Sequence, residues 1–83
     1  MSTIDAAAAV KTAYDYLLKV SPNSSAFSNF RLEEIRQDDA QDFVLVISYD
    51  EAGDFGFDRK KQYKEFKIVD DGKIEWMKIF NPV

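Results

Sequence analysis

The chain contains neither histidine nor cysteine. That removes imidazole general bases, thiolate nucleophiles, Ser-His triads and His/Cys zinc sites. Any remaining chemistry must use Asp, Glu, Tyr or Lys, or a hard cation held by oxygen. Four acids gather in one stretch: Asp50, Glu51, Asp54 and Asp58. Their spacing does not follow the calcium-binding loop, which supplies acids at its first, third and fifth positions and a late Glu. They read as solvated loop acids. Asp54-Phe55-Gly56 repeats a protein-kinase triplet but lacks the His-Arg-Asp and nucleotide-lysine context, so it is a chance match. The glycosylation pattern at Asn23-Ser24-Ser25 is read the same way. No glycine-rich phosphate loop occurs. The sequence therefore assigns no catalytic residue, no metal ligand and no cofactor.

Phe55 and Phe57 share the acidic stretch with Gly53 and Gly56. Two phenylalanines on such a loop either fold back over the core or stand out as anchors for a partner, and capping is the favoured reading. The basic residues Arg59, Lys60, Lys61, Lys64 and Lys67 form one cluster, diluted by Asp58 and Glu65. Lysines along a strand discourage edge pairing. A formal net charge of −4, from 15 acidic and 11 basic residues, disfavours a nucleic-acid partner. No run of about 20 apolar residues is present, so no membrane role is expected. The N-terminal stretch carries Asp5 in place of a cationic segment, which argues against a signal peptide. Together with the absence of cysteine, this points to the cytoplasm.

These residues must be placed by a small domain. Eighty-three residues, 46% hydrophobic and 14% aromatic, are enough for one packed unit over residues 1–83. Ser2 to Val20 is the one long helical segment, capped by Ser2 or Thr3, with Asp5 in the first turn. Ala6, Val10, Ala13, Leu17 and Val20 form its apolar stripe, widened by Ala7, Tyr14 and Leu18. Asp15 and Lys19 form the expected i,i+4 pair. Ser21-Pro22-Asn23 stops the helix.

Four strands are expected after it: Phe30–Gln37, Asp42–Asp50, Lys60–Asp70 and Lys73–Phe80. The first competes with a short helix and is read as a strand with a bulge near Glu33-Glu34. In the second, Phe43, Leu45, Ile47 and Tyr49 share one face, and Val44, Val46 and Ser48 the other. The last two close on Asp70-Asp71-Gly72. A two-residue loop would set Ile68 against Glu75 and Lys67 against Trp76. A three-residue loop with left-handed Gly72 instead pairs Phe66 with Trp76, Ile68 with Ile74 and Lys67 with Glu75. The second register is the expectation.

The result is an α+β fold of two layers, with the N-terminal helix packed on a four-stranded antiparallel β-meander. The order of one helix followed by four strands is similar to the layout of cystatin-like domains and of small PepSY-type modules. The cystatin Gln-x-Val-x-Gly loop and Pro-Trp hairpin are missing; Trp76 follows Glu75 instead. Protease inhibition is therefore not implied. One helix cannot cover both faces of a sheet. Val44, Val46, Tyr63, Val69, Met77 and Ile79 are expected on the open face as a candidate surface for a protein partner or a homodimer. The expected function is a non-catalytic protein-interaction module. The alternative is a small-ligand or carboxylate-based enzyme pocket between helix and sheet, near loop 50–58.

Overall fold

A computed structural model describes residues 4–53, 58–69 and 71–80. It has an N-terminal helix, α1 (Ala6–Val20), and a 3-10 turn at Ser24–Ala26. Four strands follow: β1 (Phe27–Gln37), β2 (Phe43–Ala52), β3 (Arg59–Ile68) and β4 (Ile74–Ile79). The strands form one antiparallel sheet in the order β1-β2-β3-β4. The two-layer α+β fold is thus as the sequence implies. Ser2 and Thr3, the expected caps, lie outside the described residues. Asp5 takes that role: its carboxylate accepts a hydrogen bond from the Ala8 amide at 2.8 Å. It stands before the helix rather than in its first turn. Lys11 pairs with Asp15 at 2.8 Å, in place of the expected Asp15–Lys19 pair.

The buried stripe of α1 is Ala9, Ala13 and Leu17, all at 0% exposure, flanked by Val10, Tyr14 and Tyr16. Ala6 and Ala7 are exposed and Val20 is 43% exposed, so the stripe is rotated from the expected one. Alanine at the two central contact positions lets the helix lie close to the sheet. There it covers Phe43, Leu45, Ile47, Phe66 and Ile68. Tyr49 belongs to the same face, as the alternation of β2 predicts. Ile4 marks the N-terminal end of the helix beside the β3–β4 turn; a Cβ at Gly72 would lie 3.4 Å from its Cγ2. Near the other end, Tyr14 meets Phe30 edge to face, with centroids 4.8 Å apart.

Two bulges shape β1. In one, Asn29 and Phe30 together oppose Tyr49, between the pairs Ser28↔Asp50 and Arg31↔Ser48. Asn29 has a φ of 55°, which Asn tolerates better than most residues. The extra residue brings Phe27 and Phe30, three apart, against the same Tyr49 ring, at 4.3 and 5.8 Å. The second bulge is at Glu33, where a break near Glu33-Glu34 is expected. The strand begins at Phe27, three residues before the expected Phe30.

Three rows of cross-strand neighbours line the helix side: Gln37–Phe43–Ile68–Ile74, Ile35–Leu45–Phe66–Met77, and Leu32–Ile47–Lys64–Ile79. The β3–β4 connection has the expected length. Val69 donates to the Lys73 carbonyl at 2.9 Å across residues 70–72, and Gly72 has a φ of 90°. Asp70 lies outside the described residues. Ile68 opposes Ile74 as expected. The next pairs are Lys67↔Trp76 and Phe66↔Met77, because Glu75 is an extra residue in β4. The sequence expectation of Phe66 against Trp76 is therefore corrected. Met77 enters the core and Trp76 turns to the other face. The extra residue at Glu75 accounts for this, since it reverses the alternation of the strand from Trp76 onward.

Candidate functional site

The six residues expected on the open face do not form one surface. Val44, Val46 and Tyr63 are on that face, opposite Lys67, Glu65 and Ser48 respectively. Met77 packs against the core cluster, and Ile79 lies in the helix-side row, 68% exposed at its margin. Val69 is half-buried at the turn after β3. Phe55 and Phe57 lie outside the described residues. The Glu75 bulge is the reason for the split: it reverses the facing of every later residue of β4.

The open face is also not an exposed apolar patch. Val44 and Val46 are 6% and 1% exposed, and Ser48 is 0% exposed. Two rows of long side chains frame them: Arg36–Val44–Lys67–Trp76 and Glu34–Val46–Glu65–Lys78. Aliphatic stems cover the valines while the charged heads pair above them. Lys67 Nζ reaches Glu75 at 3.3 Å and both Asp38 and Asp42 at 3.7 Å. Lys78 reaches Glu65 at 3.5 Å and sits 4.5 Å from the Trp76 ring centroid. Ser48 donates to Glu33 at 2.5 Å, and Glu33 lies 3.9 Å from Lys61. Glu33 can reach Ser48 because the β1 bulge turns it toward this face.

Two groups in this lattice have displaced pKa values. Asp38 is held below the ordinary carboxylate value, chiefly by the Asp42 amide, with help from the Ala40 amide and Lys67 against some desolvation. Lys67 is raised, chiefly by its hydrogen bond to Glu75 and then by the charges of Glu75, Asp38 and Asp42. On the helix side, burial raises the Tyr49 phenol, and the charge of Glu51 adds to that. These are the signatures of closed ion pairs and a packed ring.

Two open depressions lie toward the Asp50 end of the sheet. One, of about 410 Å³, is lined by Asn29, Phe30, Arg31, Asp50 and Lys61. The other, of about 430 Å³, is lined by Glu51, Ala52, Gly53, Asp58, Lys60 and Gln62. Both carry charges of each sign, and neither lies between helix and sheet. Among the described residues no cluster of three or more acids could hold a metal ion.

The sheet edges differ from each other. β1 is interrupted by two bulges and carries Arg31, Glu33, Glu34 and Arg36, all exposed. Bulges and charges are the usual guards of an edge. β4 has its single irregularity at Glu75, and from Trp76 to Ile79 it pairs evenly with β3. Its outer margin offers Trp76, Met77, Lys78 and Ile79. Sequence reasoning placed Met77 and Ile79 in the candidate surface but missed Trp76 and Lys78. The i,i+2 spacing of these two, which puts them on one face of a strand, was the available signal.

No protein-family model, curated protein or solved structure matches this chain. No helix among the described residues is long and apolar enough to cross a membrane. Fold and site together define a small α+β domain whose sheet edges both carry charge, β1 with two bulges and β4 with one.

Proposed function

We propose that this domain is a non-catalytic protein-interaction module that takes an extended polypeptide along the outer edge of β4. The observation behind this reading is a difference of degree between the edges: β1 carries two bulges and four exposed charged residues, whereas β4 carries one bulge, at Glu75, and pairs evenly with β3 from Trp76 to Ile79, where Ile79 is 68% exposed. Strand addition of this kind draws affinity from backbone hydrogen bonds and specificity from alternate side chains. The edge replaces the open face as the surface of interest, because the valines of that face are already covered by the chain's own stems. A cytoplasmic setting fits a chain without cysteine. Selection from a displayed random-peptide library, with an Ile79→Pro variant as counter-selection, tests the proposal. Extended peptides that bind wild type and lose binding to the variant are expected. Peptides that bind both proteins equally, or no peptides at all, would defeat it.

A further inference from the structure

The residues of β3 and β4 can be matched in two ways. Glu75 and Trp76 together oppose Lys67, and the bulged ladder then runs Lys67↔Trp76, Phe66↔Met77, Glu65↔Lys78 and Lys64↔Ile79. Absorbing the extra residue, with Ile68 still opposite Ile74, sets Lys67 against Glu75, Phe66 against Trp76, Glu65 against Met77, Lys64 against Lys78 and Tyr63 against Ile79. Apolar residues are served by either ladder. The bulged one gives Phe66 a Met77 neighbour and leaves Ile79 68% exposed. The straight one would give Phe66 the Trp76 ring and Ile79 the Tyr63 ring. Lys67 reaches Glu75 at 3.3 Å across the bulge and would oppose it directly in the straight ladder, so this pair favours neither.

Lys78 does discriminate. Its ammonium lies 3.5 Å from Glu65 on the open face. In the straight ladder it would leave Glu65 for the other face and stand against Lys64. The Phe80 amide donates to the Tyr63 carbonyl at 3.1 Å, so Tyr63, Glu65 and Lys67 turn their backbone groups toward β4, and Lys64 does not. Lys64 therefore occupies a non-hydrogen-bonded position, where opposed side chains come closest and like charges are unfavourable. We infer that Lys78 selects the register of β4: its charge holds the strand in the bulged ladder, and reversing that charge moves the strand by one residue, exchanging Trp76 and Met77 between the open face and the core. The exchange also turns over the outer margin. Phe80, Lys78 and Trp76 direct their backbone groups toward β3, whereas Met77 and Ile79 direct theirs outward. In the straight ladder Trp76 and Lys78 would face outward instead. The register would thus gate strand addition at this edge, a consequence that rests on the interaction-module reading above; the exchange of Trp76 and Met77 does not.

Trp76 is the one tryptophan of the chain, so its fluorescence reports the register. Lys78→Glu sets a carboxylate against Glu65 in the bulged ladder and against Lys64 in the straight one. Its emission should shift to shorter wavelength than wild type's and its quenching by acrylamide should fall, with circular dichroism checking that the fold is kept. The chain has no cysteine, so paired replacements can lock each ladder. Lys64→Cys with Ile79→Cys should close under mild oxidation in the bulged ladder, and Lys64→Cys with Lys78→Cys in the straight one. Only closure of the second pair should carry the Trp76 shift. A folded Lys78→Glu protein with wild-type emission overturns the proposal, as does a second pair that stays open or closes without the shift. If Lys78→Glu does not fold, the paired replacements decide alone. Peptides selected on the edge test the gate: they should bind wild type and the first locked form but not the second. Equal binding to all three overturns the gate and leaves the register selection standing, and a lack of any binding peptide defeats the interaction-module reading without touching Lys78.

Discussion

Gly72 shows what a single residue contributes here. With a φ of 90° it closes the β3–β4 turn, and Ile4 from the start of the helical segment packs beside it. Valine there meets both backbone strain and the Ile4 methyl. Gly72→Val should cost about 1–3 kcal/mol in urea unfolding, and Gly72→Asn clearly less, because Asn accepts positive φ. Equal midpoints for wild type and Gly72→Val would show that the turn does not require glycine. Asp38 acts through charge. Folding lowers its pKa, so the carboxylate stabilises the protein above its ordinary value of 3.8, and that stabilisation is lost as pH falls through the folded value. Asp38→Asn keeps a side-chain oxygen for the Ala40 and Asp42 amides but removes the ionisation. Its urea midpoint should therefore fall less than wild type's between about pH 5 and pH 2. Lys67 behaves in the opposite sense. Its pKa is raised, so its contribution is complete below the ordinary value of 10.5 and disappears as pH rises through the folded value.

At the scale of elements, α1 and the bulges decide the packing. Leu17 is fully buried while Val20 is 43% exposed, although the sequence places both on one stripe. Leu17→Ala should cost about 2–5 kcal/mol by equilibrium denaturation, and Val20→Ala well under 1 kcal/mol. Ala13 tests the close approach of helix to sheet. Ala13→Leu should overpack that contact and cost about 1–3 kcal/mol, with the helix displaced from β2 and β3. An unchanged midpoint would mean that the layer has room. The bulges act by parity. One extra residue at Glu75 exchanges the faces of Trp76 and Met77, and one at Asn29–Phe30 gathers Phe27 and Phe30 around Tyr49. A hydrophobic alternation read with a strict period of two cannot place residues beyond such a point.

On the scale of the whole molecule, one sheet face has no second layer among the described residues, and the chain covers that face with its own ionic side chains. Val46 is 1% exposed beneath them, so it belongs to the folded interior as fully as a residue under the helix. Val46→Ala should destabilise by roughly 1.5–3 kcal/mol without changing the molecular mass in solution. A change in self-association in that variant would return attention to the open face. Lys67, Asp38, Asp42 and Glu65 are half-buried while Glu75 and Lys78 are exposed, so the lattice both shields the valines and pairs charges at the margin of water.

The order of elements, the core face of β2, the stop after Val20, the three-residue turn at Gly72 and the bulge near Glu33 are all legible in the residue pattern. They depend on local rules: periodicity, capping, proline and positive φ. The cap at Asp5, the rotation of the α1 stripe, the inward Met77 and the covered valines are not legible there. The cap depends on which residue starts the first turn, the inward Met77 on the extra residue at Glu75, and the rotated stripe and covered valines on which faces and long side chains meet across the layers. The same holds for the candidate surface. The chain announces Met77 and Ile79 as apolar residues in search of a role, but only the pairing of β3 with β4 shows that their backbone groups point outward along an edge.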